Sequence, residues 1–330
     1  MKLADIEGIA KRTTVAVTLK NEYATLPAFI DSLINQSIKP LEIVLVDGGS
    51  FDGTLDYLRG VAAKNSLVRL IESDNTNIAQ GRNIAAEAAR GDIIVFTDAG
   101  SYADARWLEN LLMSLSEDDE KVVVGGYTNP VCTNFLQRLL ACANLPLLSE
   151  IKEKKFMPSS RNIALYKSAW QSAGGYPEWL VFGEDMYFDK TLKWLGYEIR
   201  FQPRAVVNWH LHSDLISIFK QFFRYSYGDG VANMYTYRHA LRFLSYFVLI
   251  LIVFMTIFLS WYVLPVLVPL GVVYLARPYM RSVKVFKERP FELILGWFLI
   301  PSMVMYMDMA KMCGYLYGVS KRNKIKRAIA

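Results

Sequence analysis

The chain has 330 residues, 53% of them hydrophobic, with 37 Lys and Arg against 31 Asp and Glu for a formal charge of +6. That composition excludes a disordered chain and a disulfide-stapled secreted module, and the length allows two domains or one domain with an appendage. The basic excess is local. Residues 277–290 hold five basic side chains and one acid, the tail from Ser320 holds five and none, and without these clusters the charge falls from +6 to −3. A slightly acidic body excludes a broad nucleic-acid face. Both basic clusters flank apolar runs, as expected of a protein seated on an anionic membrane leaflet.

The opening MKLADIEGIAKRTT lacks the apolar core of a signal peptide, so the first two thirds of the chain are expected on the cytoplasmic side. Residues 14–20 and 42–47 are short β-branched runs that end in polar turn residues. Between them Leu26, Phe29, Ile30, Leu33 and Ile34 recur at helical intervals. The cycle continues with a helix over 54–64, a strand over 67–72, an Ala-rich helix over 77–90 and a strand over 92–97. Alternation of this kind predicts an α/β fold with a mostly parallel, doubly wound sheet. Ligands of such sheets sit beyond the carboxyl ends of the strands, where Asn21, Glu22, Asp47 and Asp98 stand.

Asp47 is followed by Gly48-Gly49-Ser50 and can accept hydrogen bonds from a base or ribose, although the same residues make an ordinary turn. Neither GxGxxG nor GxxxxGK[ST] occurs, which removes the main support for dinucleotide oxidoreductases and P-loop ATPases. Asp98, in Thr97-Asp98-Ala99-Gly100, can hold Mg²⁺ or Mn²⁺ against a diphosphate, or cap a helix over 103–115. Glu184 and Asp185 open a helix over 186–195, where its dipole favours them. Functionally, Asp185 can take the proton of an acceptor hydroxyl while Glu184 positions that acceptor. His210 and His212 face one way on an extended segment; one of them can complete a metal or phosphate site, or both are structural. Gln221 and Arg224 share a helical face beside Tyr225, fit to clasp a diphosphate or to let one Arg snorkel at an interface. Cys132, Cys142 and Cys313 form no CxxC pair and read as buried apolar thiols.

Residues 213–242 interleave aromatic and basic side chains, the pattern of helices lying in a membrane interface. Residues 243–276 carry no charge and exceed the ~20 residues of one span, which predicts a hairpin with Pro265 and Pro269 near its turn. A third apolar segment, 291–319, contains Glu292, Pro301, Asp308 and Lys311 and is open between a span, a short hairpin, and a re-entrant or interfacial segment. Residues 320–330 form a basic tail.

In this order, VAVTLKNE (15–22), EIVLVDGGSFDGT (42–54), GRNIAAEAARGDIIVFTDAG (81–100) and SSRNIALYKSAWQSAGGYPEWLVFGEDMYFDKTLKWLGYEIRFQPRAVVNWH (159–210) resemble glycosyltransferase family 2. The resemblance implies a GT-A catalytic domain over 1–212, then interfacial helices and C-terminal transmembrane helices. It implies that Glu22 and Asp47 bind the nucleotide base and ribose, with Arg82 and Asn83 nearby. Asp98 would be the first carboxylate of the DxD metal motif, His210 the later histidine of that site, and Asp185 the base of an inverting displacement. Gln221, Arg224 and Tyr225 look like a variant of the QxxRW element of membrane-bound members. Two positions depart from the pattern. Gly100 replaces the second Asp, so the divalent cation (Mg²⁺ or Mn²⁺) loses a ligand that Asp104 or water would replace; Tyr225 replaces Trp, which with the lack of preceding helices suggests a non-processive enzyme.

The expected activity is an inverting transfer from a UDP- or GDP-sugar to a lipid-linked glycan acceptor at the cell membrane, with the catalytic domain cytoplasmic and no nucleic acid involved. The alternatives are a polyprenyl (dolichyl) phosphate sugar synthase and a catalytically silent membrane-bound sugar-nucleotide binding protein.

Overall fold

A computed structural model describes residues 3–115 and 119–329. After α1 (Leu3–Ala10), which the sequence pattern does not foresee, strands and helices alternate: β1 (Thr13–Leu19), α2 (Leu26–Ile34), β2 (Glu42–Asp47), α3 (Thr54–Lys64), β3 (Val68–Glu72), α4 (Ile78–Ala88) and β4 (Ile93–Asp98). Every residue of β1 and β2 is buried, which is why both read as unbroken apolar runs instead of alternating ones. A capping box of Asn77 and Gln80 starts α4. Gly81 then lets this helix lie close on β1: a Cβ there would sit 2.0 Å from Thr18 Oγ1. That close approach carries the next residue, Arg82, to the end of the sheet.

The chain continues through β5 (Ser101–Ala103), α5 (Trp107–Met113), β6 (Val122–Val131), α6 (Phe135–Asn144), β7 (Asn162–Tyr166), α7 (Lys167–Ser172), α8 (Glu184–Trp194) and β8 (Glu198–His210). The helix expected over 103–115 begins only at Trp107, because Ser101–Ala103 pair as a strand with residues 207–209. The strands form one 8-stranded sheet in the order β3-β2-β1-β4-β7-β6-β8-β5. Its first half, β3-β2-β1-β4, is parallel as the alternation predicts, whereas the β4–β7, β7–β6 and β5–β8 pairs are antiparallel. The register sets Leu19 opposite Asp47 and Thr18 opposite Asp98, so the two carboxylates flank the end of β1.

The chain divides into two compact units, Met1–Pro130 with Ile151–His210, and Val131–Glu150 with Leu211–Ala330. The second unit claims α6 and the turn after it, a division the sequence pattern does not show. The reason is polar: Arg138 on α6 forks onto Glu292 at 2.8 and 3.1 Å, and Arg281 donates to Glu150 at 2.8 Å.

That unit also contains α9 (Leu215–Ala232), α10 (Thr236–Phe258), α11 (Leu267–Val285) and α12 (Pro290–Ile329). Three helices are long and apolar enough to cross a membrane: Thr236–Phe258, Trp261–Val285 and Pro290–Arg327. The uncharged run is a hairpin whose turn follows Phe258, with Pro265 in the short 3₁₀ stretch Trp261–Val266 and Pro269 in the first turn of α11. The third segment is one helix of 40 residues. At 1.5 Å per residue it is ~60 Å long, about twice a hydrocarbon core. Its acids do not break it because each is paired. Asp308 accepts from Arg242 Nε at 2.9 Å, Tyr246 at 3.2 Å and Tyr274, while Glu292 holds Arg138 and Arg289.

The aromatics of α9 pack on α12, with Phe219 against Tyr306 and both Phe223 and Tyr227 against Tyr317. Glycines permit this approach: a Cβ at Gly314 would meet Phe223 O at 2.2 Å, and one at Gly318 would meet Tyr227 O at 2.2 Å. Gly318→Val is therefore expected to destabilise the helical unit by about 1–3 kcal/mol, the usual cost of overpacking. Unfolding in detergent measures this, and an unchanged midpoint would show that α9 and α12 do not depend on the contact. Cys142 is buried and Cys132 half-buried, and burial pushes their thiols up to about 12 and about 11. Cys313 is exposed on α12, which corrects the expectation that all three are buried.

Candidate active site

At the carboxyl ends of β1, β2 and β4 the centre of the site is a buried guanidinium. Arg82 donates to Asp98 Oδ1 at 2.6 Å and to Glu184 Oε1 at 2.7 Å, and lies over the Tyr176 ring at 5.2 Å. Tyr176 is fixed in turn by Ser160, with 2.8 Å between their hydroxyl oxygens. One positive charge therefore faces two buried carboxylates and cannot fully balance both. Burial opposes ionisation of Asp98, but Arg82 and Arg161 outweigh it and hold its carboxyl below the usual range. Burial pushes Glu184 up to about 7, helped by the Asp185 charge and opposed by Arg82.

The sign of the linkage follows. Folded Glu184 binds its proton more tightly than the unfolded chain does, so its contribution to stability is complete below pH 4.5 and is lost as pH rises to about 7. Glu184→Gln keeps a neutral side chain at every pH. It should flatten the fall in unfolding free energy across that window, measured by denaturant titration at a series of pH values; an unchanged slope would assign the fall to another group.

Asp185 has a different environment from its neighbour. It is half-buried, and its contacts are the Met186 amide at 2.8 Å and the Ser159 hydroxyl at a long 3.5 Å. One turn along α8, Asp189 is fully buried and neither carboxylate oxygen has a hydrogen-bond partner among the described residues. Burial, then the Asp185 charge, raises Asp189 well above the usual carboxylate range, and Arg82 opposes the shift. The same helix thus presents one accessible acid and hides two others. Glu184, expected to position an acceptor, instead spends its carboxylate on Arg82 in the interior.

At the other side of β1, Asp47 is 1% exposed and accepts from both the amide and the hydroxyl of Ser50. Asn21, at φ 58°, accepts from Phe51 N, and the Asn21 and Glu22 amides donate to Ser50 Oγ and Thr54 Oγ1, each at 2.9 Å. The turns after β1 and β2 are thereby stitched into one rim. Burial raises the Glu22 carboxyl, Thr25 lowers it, and the charges of Asp98 and Asp52 raise it further. Asn83 does not join this rim. It accepts from Trp170 Nε1 and Tyr176 N and donates to Tyr176 O and Glu178, so all four of its hydrogen-bonding positions are taken. Its task is to hold the Gly175-Tyr176 turn, and no hydrogen bond remains for a donor nucleotide.

The model described as glycosyl transferase family 2 matches residues 14–169. That matched stretch, a little under half of the chain, is similar to the family. Among its relatives, a cholesterol galactosyltransferase of Borreliella burgdorferi is 26% identical over 44% of this chain and 37% of its own length. The glycosyltransferase AglE of Haloferax volcanii is 24% identical over 66% of this chain and 72% of its own. The crystal structure of S. aureus TarS 1-349 in complex with UDP aligns with a TM-score of 0.49 at 15% identity, covering 95% of this chain and 91% of that one.

The residues at the end of β4 do not make a protein-built metal cage. Gly100 contributes no carboxylate, and Asp98 already faces two guanidiniums, Arg82 at 2.6 Å and Arg161 at 3.8 Å. Asp104, a possible substitute, accepts from Asn208 at 2.6 Å. His210 is exposed beside Tyr102, and continuing the pairing of Ser101 with Trp209 sets it opposite Gly100. No group of three or more His, Cys, Asp or Glu among the described residues is arranged to hold a metal ion. The donor set does not fit a divalent cation.

Gln221, Arg224 and Tyr225 lie on α9 in the second unit, where Gln221 is buried and donates to the Tyr225 hydroxyl at 3.0 Å while Arg224 is exposed. Arg161, Ser159 and Asp189 lie at this site and escape the sequence reading. Arg161 had a signal: it is the one charge in SSRNIAL, the run that enters β7. Asp189 had a weaker one, standing four residues after Asp185 on the same helical face.

Proposed function

We propose that this chain is an inverting, non-processive glycosyltransferase that moves a sugar from a nucleoside-diphosphate sugar to a lipid-linked glycan acceptor at a membrane. The observation that carries this reading is the contrast on α8: Asp185 is half-buried and forms no ion pair among the described residues, while Glu184 and Asp189 are buried. An accessible carboxylate across the sheet end from Asp47 and Asp98 suits a general base. The acceptor oxygen forms a bond to C1 of the sugar and gives its proton to Asp185. The C1–O bond to the phosphate breaks, and its electron pair leaves with the nucleoside diphosphate. Glu22 and Asp47 bind the base and ribose on the rim after β1 and β2. Arg82, held between Asp98 and Glu184, keeps the two strand ends and α8 in one geometry.

The helices of the second unit support a lipid-bound acceptor, since three of them are able to cross a membrane. A base also favours a sugar hydroxyl over a polyprenyl phosphate, whose oxygen is already ionised. Incubation of membranes with radiolabelled UDP- and GDP-sugars, followed by lipid extraction, tests the reading. The expected product is a labelled glycolipid from which mild acid releases no free labelled monosaccharide, the label staying on the lipid or within a larger glycan. Release of the label as a free monosaccharide would point to a sugar phosphodiester instead, and an unlabelled lipid fraction would remove the lipid acceptor.

A further inference from the structure

Arg161 enters β7 from the Ser159-Ser160 turn, and its guanidinium lies over the Trp209 ring, 4.3 Å from the centroid. The side chain is 18% exposed. Its Nε is buried without a hydrogen-bond partner among the described residues, and Asp98 Oδ2, at 3.8 Å, is beyond hydrogen-bond reach. A buried charged donor without an acceptor is costly, and native structures match such groups with a protein, water or ligand atom. Arg82 Nε also lacks a partner among the described residues, but both of its terminal nitrogens are already engaged, one by Asp98 and the other by Glu184. Two residues before Arg161, Ser159 touches Asp185. Arg161 is thus a stacked, fixed cation with unused donors, next to the β4 carboxylate and near the acid on α8.

We propose that Arg161 receives the diphosphate of the donor, in the place that a carboxylate-held divalent cation would otherwise take. This rests on the glycosyltransferase reading above. When the C1–O bond breaks, the electron pair and a growing negative charge go to the phosphate oxygen. A planar guanidinium can fork two N–H groups onto such oxygens, and its stacking on Trp209 leaves little to reorganise during the reaction. The site offers a metal ion little in return. Its strand-end acid already faces two guanidiniums, and Gly100 adds no second carboxylate, so an entering dication would meet like charge. Asp98 serves instead to hold Arg82 and Arg161 in position.

Isothermal titration of the detergent-solubilised full chain with UDP, GDP and CDP, in EDTA and in Mn²⁺, tests this, with uridine, guanosine and cytidine as diphosphate-free probes. The preferred nucleotide should bind in EDTA within about threefold of its affinity in Mn²⁺. Arg161→Gln should weaken that nucleotide by about tenfold to a hundredfold and leave the matching nucleoside unchanged, with Arg161→Lys in between. Ligand-free unfolding midpoints of both variants verify that they fold. Binding lost in EDTA overturns the proposal and leaves the glycosyltransferase reading standing. So does an Arg161→Gln variant that binds like wild type, or one that loses nucleoside and nucleotide equally. If the wild-type chain binds none of the nucleotides in either condition, the donor reading falls and the proposal falls with it.

Discussion

Asp185→Asn is expected to lower the rate of sugar transfer by about 10²–10⁴-fold, the usual contribution of a positioned general base. The change is close to isosteric: the Asn carbonyl oxygen can still accept from the Met186 amide, and its NH2 can donate to Ser159 Oγ in place of the long contact there. Folding should therefore be little affected. Nucleoside-diphosphate binding should be unchanged as well, because the acid is assigned to the acceptor and not to the donor. The loss should appear in kcat and not in the KM for the sugar nucleotide. Glu184→Gln is the informative contrast. If Asp185 is the base, Glu184→Gln acts through Arg82 and lowers activity less. Comparable losses in both variants, or none in Asp185→Asn, would remove Asp185 from the reaction.

Arg82→Met should produce the largest loss of stability of any single change in the sheet unit. It removes the cation from between Asp98 and Glu184, leaving buried Glu184 without its partner and Asp98 with only the more distant Arg161. Breaking a buried ion pair by deleting one member costs about 3–5 kcal/mol, against a typical domain stability of 5–15 kcal/mol. The loss should be greatest near neutral pH and smaller under mildly acidic conditions, where the orphaned carboxyls can protonate. Chemical denaturation at two pH values measures both effects. A change of less than about 0.5 kcal/mol, typical of an ordinary surface substitution, would contradict the role given to Arg82.

The parallel half of the sheet was legible because β1, β2 and β4 are buried on both faces and its helices repeat at regular intervals. The strand-end acids, Asp47 and Asp98, followed from that topology alone. The antiparallel half was not legible, since β6, β7 and β8 are separated by irregular stretches and their pairing is set by tertiary contacts. The family resemblance identified Arg82 and Asn83 as neighbours of the site but not their tasks. Asn83 exhausts its hydrogen bonds on the Tyr176 turn, and Arg82 is drawn to two acids, one of them 102 positions away. Such long-range partners leave no local signature. The same reason hid the structure of the third apolar segment. Asp308 reads as a break in a membrane span until Arg242, Tyr246 and Tyr274 are seen to satisfy it.

The central claim is a single displacement at C1 with Asp185 as base, and it fixes the stereochemistry of the product. The direct measurement is the ¹H NMR coupling of the newly linked anomeric proton, after transfer from the α-linked sugar nucleotide that the enzyme accepts. The account predicts a β-linked product from wild-type enzyme and no product above background from Asp185→Asn. An α-linked product would contradict it.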